Sequence, residues 1–361
     1  MDHTNALIPK NIPIRFLAAG EILLRLTPPE YKTIQEASSF TANYGGSEAN
    51  VALSLANLGI DSSFFSVVPN NSLGKSAVRM LKSSHVNCTP IILSTPKETP
   101  SHRLGCYYFE KGYDVRPGRV VYDRKNSAFT EYDLSRINLS ALLEGFTWLH
   151  LSGITPALNA NTRQFTLNCL KTARQLGITI SFDGNFRSSL WSFQEARDFC
   201  TACLPYVDVL FGIEPYHLWK NEACREDGDL KDTLSPHPSR KEQDKIFQEF
   251  IRRYPNIKCI ARHVRFTHSS SKNSLKAYMY YQGKTFESPL YTFHILDRIG
   301  GGDAFAAGLL YAIMKGFSPD DMVSFAVASS VLKHTMHGDG NIIDDASLIQ
   351  ELAQTNFDVS R

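Results

Sequence analysis

Five short apolar runs, RFLAAGEILLRL, SSFFSVV, FTWLHLSGI, ITISFDGN and VDVLFGI, recur along the chain with longer helical patterns between them. Runs of this kind suit strands buried on both faces, and strands that alternate with helices pair in parallel through helical crossovers. The chain is therefore predicted to be an α/β protein with a mainly parallel central sheet covered by helices. Its 361 residues can bury most of their apolar surface, and the whole length, 1–361, reads as a single domain. At about residues 30–44 and 97–124 the rhythm gives way to polar, aromatic and alternating residues, as in RLGCYYFE and GRVVYDR. These segments are expected to be antiparallel strands of a small β lid beside the main domain.

A hydrophobic content of 43%, a charged content of 20% and a formal net charge of +2 are ordinary for a soluble globular protein and give no reason to expect nucleic acid. The N-terminal MDHTNALIPKNIPIRF places a proline and polar residues where a signal peptide needs an unbroken apolar stretch. No later run approaches membrane-spanning length, so a cytoplasmic protein without membrane contact is expected. The seven cysteines, Cys88, Cys106, Cys169, Cys200, Cys203, Cys224 and Cys259, are odd in number and scattered, which suits reduced thiols. Cys200 and Cys203 form a lone CxxC without the further ligands zinc needs, in a segment that reads as a helix end before a strand. Residues 221–245, almost entirely charged or turn-forming, are expected to be an exposed mobile loop and helix start, with no function assigned.

The segment DRIGGGDAFAAGLLYAIMKG, residues 297–316, concentrates the chemistry. Gly300, Gly301 and Gly302 precede an apolar helix pattern that Gly316 can cap, so they occupy the helix entrance. Backbone N–H groups there can face an anion, the absent side chains let a phosphate approach closely, and the helix dipole favours negative charge. Asp303 follows at once, and a carboxylate beside a phosphate site can take the proton from an attacking hydroxyl. Taken alone, GGGD is also what an ordinary glycine-rich loop with Asp303 as a helix cap would contain.

Near the N-terminus, YGGSEANVALSLANLG, residues 44–59, has a Gly45–Gly46 turn running into a helix with Ser47 as its expected cap and Asn50 on its first turn. Glycines there would let a ligand approach the backbone, and the Asn50 amide can both donate and accept hydrogen bonds to hydroxyls. A plain strand–turn–helix corner would look similar.

Together and in this order, the two segments resemble the ribokinase-like (PfkB) carbohydrate kinases. Their C-terminal signature is an aspartate, three small residues and a catalytic aspartate that open a helix beginning with a buried aromatic, which Asp297, Gly300, Gly301, Gly302, Asp303 and Phe305 match. The resemblance implies a three-layer α/β/α sandwich with a β lid, Asp303 as catalytic base, the three glycines as anion hole, and Gly45, Gly46 and Asn50 as sugar-binding residues. Further segments, from GEILLRL through RLGCYYFE, GRVVYDRKNSAF, HLSGITPAL, FDGNFRSSLW and HSSSKNS to SSVLKHTMHGDGN, resemble the 2-keto-3-deoxygluconate kinases within this family. By that resemblance Tyr107, Tyr122, Arg124 and Arg187 contact substrate. Arg187 can also reach the nucleotide phosphates, beside Asn185. A sugar acid carries a carboxylate that ribose and fructose lack, and burying it calls for a fixed cation such as arginine. Strand alternation would send Tyr122 and Arg124 to one face and Asp123 to the other.

The same resemblance makes SSVLKHTMHGDGN an adenine-side wall, with Gly338 and Asn341 as nucleotide contacts, and implies subunits that pair through their lids. His334 and His337 are three apart without further ligands and read as structural or exposed. After VDVLF, many relatives carry an asparagine and two glutamates that organise magnesium. Here Glu214 remains, while Ile213 and Tyr216 stand at the other positions, so magnesium is expected to arrive as MgATP with no protein ligand assigned. RFTHSSSKNS also lacks the small glycine pattern common in ribokinases. Gly74, Lys75 and Ser76 do not form a P-loop, because Pro69 occupies the position of its first glycine, and Phe305 takes the place of the third glycine of a dinucleotide fingerprint. The expected activity is transfer of the ATP γ-phosphoryl group to the terminal hydroxyl of 2-keto-3-deoxygluconate. A kinase of a neutral sugar such as fructose or ribose, and a non-catalytic sugar-binding regulator, are the alternatives.

Overall fold

The computed structural model describes residue 7, residues 13–216 and residues 239–354. Cys224 and most of the expected loop at 221–245 lie outside the described residues. The helix start expected there is the helix Arg240–Arg253, capped by Ser239, whose hydroxyl accepts the Glu242 N–H. The other six cysteines are buried free thiols.

The main sheet runs, edge to edge, through Lys284–Glu287, Lys272–Tyr281, Cys259–Ser269, Val209–Phe211, Thr179–Asp183, Trp148–Ser152, Arg15–Ala19 and Asp61–Phe65, with Tyr291–His294 also on Lys272–Tyr281. From Asp61–Phe65 to Cys259–Ser269 every pairing is parallel, and the strands beyond are antiparallel. Side chains alternate across a strand, so each parallel strand must supply two cores. In Arg15–Ala19, Phe16 and Ala18 join the layer holding the helices Gly301–Met314 and Pro319–His334. Leu17 and Ala19 join the layer holding Ala160–Gln175 and Phe193–Cys203. The result is a three-layer α/β/α sandwich. No helix among the described residues is long and apolar enough to cross a membrane.

The lid is a separate sheet in the order Thr41–Gly45, Leu23–Thr27, Cys106–Glu110, Arg119–Asp123. Two expectations are corrected here. RFLAAGEILLRL is not one strand of the main sheet: it divides at residues 20–22, and Leu23–Thr27 becomes a lid strand. The lid is also not wholly antiparallel, because Leu23–Thr27 pairs in parallel with Cys106–Glu110. The second half of SSFFSVV likewise leaves the main sheet, as Val67–Pro69 pairs with Ile92–Ser94.

The division has a physical cause in Arg25. Leu23, Arg25 and Thr27 alternate onto the buried face of their strand, and Arg25 is 1% exposed. Its Nη1 donates to Asp339 at 2.7 Å, its Nη2 to Asp297 and its Nε to Thr27 at 2.8 Å, while its carbon lies 4.8 Å from the Phe109 ring centre. Burial opposes the charge, but Asp339 and Asp297 more than offset it and hold the guanidinium above its ordinary pKa. Such an arginine has no place inside a sheet covered on both faces by apolar helices. Removing one partner of a buried ion pair leaves uncompensated charge and typically costs about 3–5 kcal/mol. Arg25→Met is therefore expected to lower the unfolding free energy by about that amount in urea denaturation. A loss below about 1 kcal/mol would show that the tie is not structural.

Candidate active site

The carboxyl ends of the parallel strands, where ligands bind in open α/β sheets, border a cavity of about 910 Å³. Lid residues Leu23, Tyr107 and Tyr122 form one wall, and the entrance of the Gly301–Met314 helix forms the opposite one. This helix and Ser47–Asn57 present their N-termini to the same space, where Ser47 and Asn50 meet Asp303.

Asp303 lies in the first turn of its helix. Its Oδ1 accepts the Ser47 hydroxyl at 2.8 Å and its Oδ2 accepts the Asn50 amide at 2.7 Å. Burial raises the Asp303 pKa above the usual carboxylate range, and the hydrogen bonds from Asn50 and Ser47 pull it back. Ser47 and Asn50 are three apart on one helix face, which is what lets them reach two oxygens of one carboxylate. Ser47 was expected to cap this helix. The cap residue is instead Gly46, and the Ser47 side chain is directed to Asp303. Asn50, expected to meet sugar hydroxyls, donates to Asp303 while its oxygen accepts the Gly46 N–H at 3.4 Å.

The three glycines differ from one another. Gly300 has φ +80°, a conformation that favours glycine, and a Cβ there would collide with the Asp339 carbonyl. A Cβ on Gly301 would collide with the His334 ring, so Gly301 is glycine because of the core behind it and not to admit a phosphate from the cavity side. At Gly302 the nearest atom to a Cβ would be His263 Cε1 at 3.9 Å, so this position opens into the cavity. The N–H groups of Gly301, Gly302 and Asp303 precede the first intrahelical bond, Ala304 to Gly300 at 2.9 Å, and are free to face an anion.

Positive charge gathers beside them. Arg187, Arg265 and Arg298 all line the cavity, and none forms an ion pair among the described residues. The buried Nε atoms of Arg265 and Arg298 have no hydrogen-bond partner. Burial, and then the charges of Arg298 and Arg187, push the Arg265 pKa down to about 10. Arg265 and Arg298 were missed in sequence; the only sign was an arginine in RHVRFTHS and another beside Asp297 in DRIGGG. Burial and the Asp303 charge push Asp183 up to about 7, against the opposing charge of Arg187. Glu48, buried beneath, accepts the Ser152 and Thr155 hydroxyls at 2.7 and 2.8 Å.

Other anticipated site residues divide. Gly45, Gly46, Tyr122, Asn185 and Glu214 line the cavity. Asn185 Nδ2 donates to Ser47 at 2.8 Å. Tyr107 also borders the cavity, but its hydroxyl is spent on Asp339. Arg124 and Tyr122 do share a face, with Asp123 turned away to Arg103 at 2.8 Å. Arg124 is nevertheless not a free cation, because Glu21 accepts from its Nε at 2.9 Å and from its Nη2. Gly338 and Asn341 do not border the cavity. Gly338 donates its N–H to Asp297 at 3.2 Å, and Asn341 bonds Ser329 at 3.1 Å and the Ile343 N–H at 3.3 Å, so both brace the loop after Pro319–His334. Ile213 and Tyr216 are buried in the core. His334 is buried, with Nδ1 on the Ser330 carbonyl at 2.6 Å, and His337 is exposed beside Lys111.

The chain is similar to known proteins over most of its length. A 2-dehydro-3-deoxygalactonokinase of Haloferax volcanii is 32% identical over 89% of this chain and 91% of its own. A 2-dehydro-3-deoxygluconokinase of Bacillus subtilis is 29% identical over 89% of each. The crystal structure of 2-dehydro-3-deoxygluconokinase from Thermotoga maritima superposes with a TM-score of 0.84 at 35% identity, covering 94% of this chain and 99% of the other. The model of the pfkB family carbohydrate kinases matches residues 15–215 and 242–346, and the chain belongs to that family.

Proposed function

We propose that the protein transfers the γ-phosphoryl group of ATP to the terminal hydroxyl of 2-keto-3-deoxygluconate, also called 2-dehydro-3-deoxygluconate, or of its C4 epimer. The observation that carries the reading is the Asp303 carboxylate. It is held by Ser47 and Asn50 at a helix entrance, beside three arginines with no carboxylate partner among the described residues. A carboxylate must be close enough to take a hydroxyl proton, and three clustered guanidinium groups without ion-pair partners among the described residues, Arg265 and Arg298 half-buried and Arg187 exposed, call for a polyanion in the same cavity. Polyphosphate on one side and an alcohol on the other satisfy both. The relatives' names supply the acid, and they differ at C4.

In the proposed step Asp303 accepts the proton as the substrate O–H bond breaks and the oxygen–phosphorus bond forms. The bond from the γ-phosphorus to its bridging oxygen breaks, and its electron pair leaves on ADP. The N–H groups of Gly301, Gly302 and Asp303, with Arg187, Arg265 and Arg298, face the charge on the transferring group. Magnesium is proposed to travel with ATP and neutralise phosphate charge. Among the described residues no group of three or more His, Cys, Asp or Glu side chains is arranged to hold a metal, so none is named as a ligand.

Asp303→Asn keeps the shape of the side chain but cannot take the proton. Turnover in a coupled ADP-release assay is expected to fall by about 10²–10⁴ with ATP and sugar binding retained, and near-normal turnover would refute the base. Gly302→Ala and Gly301→Ala should part company. The first is expected to fold normally and slow turnover, while the second should lose thermal stability because its Cβ meets His334. Equal stability of the two would contradict the placement.

The Glu21–Arg124 pair favours a second reading, phosphorylation of a neutral sugar, because the lid end of the cavity is already charge-balanced. Arg124 still has Nη1 to offer a carboxylate. Glu21→Gln frees the cation, so kcat/KM for the keto acid relative to fructose is expected to rise several-fold, on the order of the 1–2 kcal/mol of one charge-assisted hydrogen bond. An unchanged ratio would remove Arg124 as the acid-recognising residue.

A further inference from the structure

We infer that Ser47 is a positioning residue that, locked by Asn185, directs its hydroxyl proton at Asp303 and so sets the pH at which Asp303 becomes a base. The inference rests on the proposed role of Asp303. Its geometry is a one-way chain, in which Asn185 Nδ2 donates to Ser47 Oγ at 2.8 Å and Ser47 Oγ donates to Asp303 Oδ1 at 2.8 Å.

The direction follows from chemistry. An amide nitrogen can only donate, and an ionised carboxylate can only accept, so the hydroxyl between them has one way to point. Asn185 is itself held in place, with φ +36° and its N–H on Asp183 Oδ1 at 3.0 Å. A non-glycine residue in the left-handed region persists where its surroundings demand it, and asparagine tolerates that region best. Ser47 is buried at 8% exposure and is not the cap of its helix, so its hydroxyl has no competing local duty.

A donor to the charged form favours that form, so Ser47 opposes the burial that raises Asp303. Among the described residues Asp303 feels the charges of Glu48 from the same helix as Ser47, Asp183 and Arg187 from the strand end, Asp339 from the following loop and Lys333 from the Pro319–His334 helix, while His263, Arg265 and Arg298 line the same cavity. None of them bonds Ser47, so removing its hydroxyl changes one donor and leaves the surrounding charges in place.

The test is the pH dependence of kcat/KM, measured with MgATP and 2-keto-3-deoxygluconate on the full chain. In Ser47→Ala the acid limb is expected to move up by about one pH unit, as loss of one charge-assisted hydrogen bond implies, with about tenfold lower turnover at pH below the limb. The KM for ATP should stay near that of the wild type. Ser47→Thr, which keeps the hydroxyl, should keep the limb. If Ser47→Ala does not fold, Ser47→Cys, similar in shape but a weak donor, should show the upward shift. A limb unmoved in the alanine or cysteine variant, with Asp303→Asn still inactive, overturns the role of Ser47 while leaving the base intact. Full activity of Asp303→Asn overturns the reading beneath it.

Discussion

A single buried guanidinium ties the lid to the catalytic side of the molecule. Arg25 belongs to a lid strand, Asp297 to the turn that leads into Gly300, and Asp339 to the loop whose carbonyl packs on Gly300. Each charge in this group is satisfied. Asp297 also accepts the Ile299 and Gly338 N–H groups at 3.2 Å, and Asp339 also accepts the Tyr107 hydroxyl. Buried ion pairs are weak sources of net stability, but their strict geometry specifies one arrangement over others. In this chain the arrangement specified is the distance between the lid and the glycine turn.

The cavity between them is divided by charge. Carboxylates of Asp183, Glu48 and Asp303 sit together under the strand ends, and burial raises each of them. Arginines 187, 265 and 298 crowd the adjoining wall, and burial with mutual repulsion lowers Arg265 and, through burial, Arg298. The three carboxylates, Arg265 and Arg298 are held away from their ordinary protonation balance, as happens where a ligand supplies the missing charge. A polyphosphate beside the arginines and a hydroxyl beside Asp303 would relieve both at once. The Asn185–Ser47–Asp303 chain connects the two halves, since Asn185 lies two residues before Arg187 and Ser47 touches the carboxylate.

Much of this was legible in the chain. The alternation of apolar runs with helical patterns indicated the sandwich, and GGGD after DRI placed a carboxylate and free N–H groups at one helix entrance. What escaped was partnership. Arg25 sits in an apolar run, and nothing local says that residues more than 270 positions away will neutralise it. Arg124 looked like a free cation because Glu21, its partner, is 103 residues earlier. Gly301 looked like a phosphate-facing glycine, but the direction a missing Cβ would take depends on His334, which only the fold brings behind it. Gly338 and Asn341 were placed by resemblance at a nucleotide wall, and nothing in the sequence indicated their bonds to Asp297 and Ser329.

The most direct measurement is the identity of the product. Wild-type protein incubated with MgATP and 2-keto-3-deoxygluconate, followed by ³¹P and ¹³C NMR, should yield one ADP for each phosphorylated acid, with the phosphate on the terminal oxygen. ATP hydrolysis without a sugar phosphate, or an ester at another hydroxyl, would contradict the account.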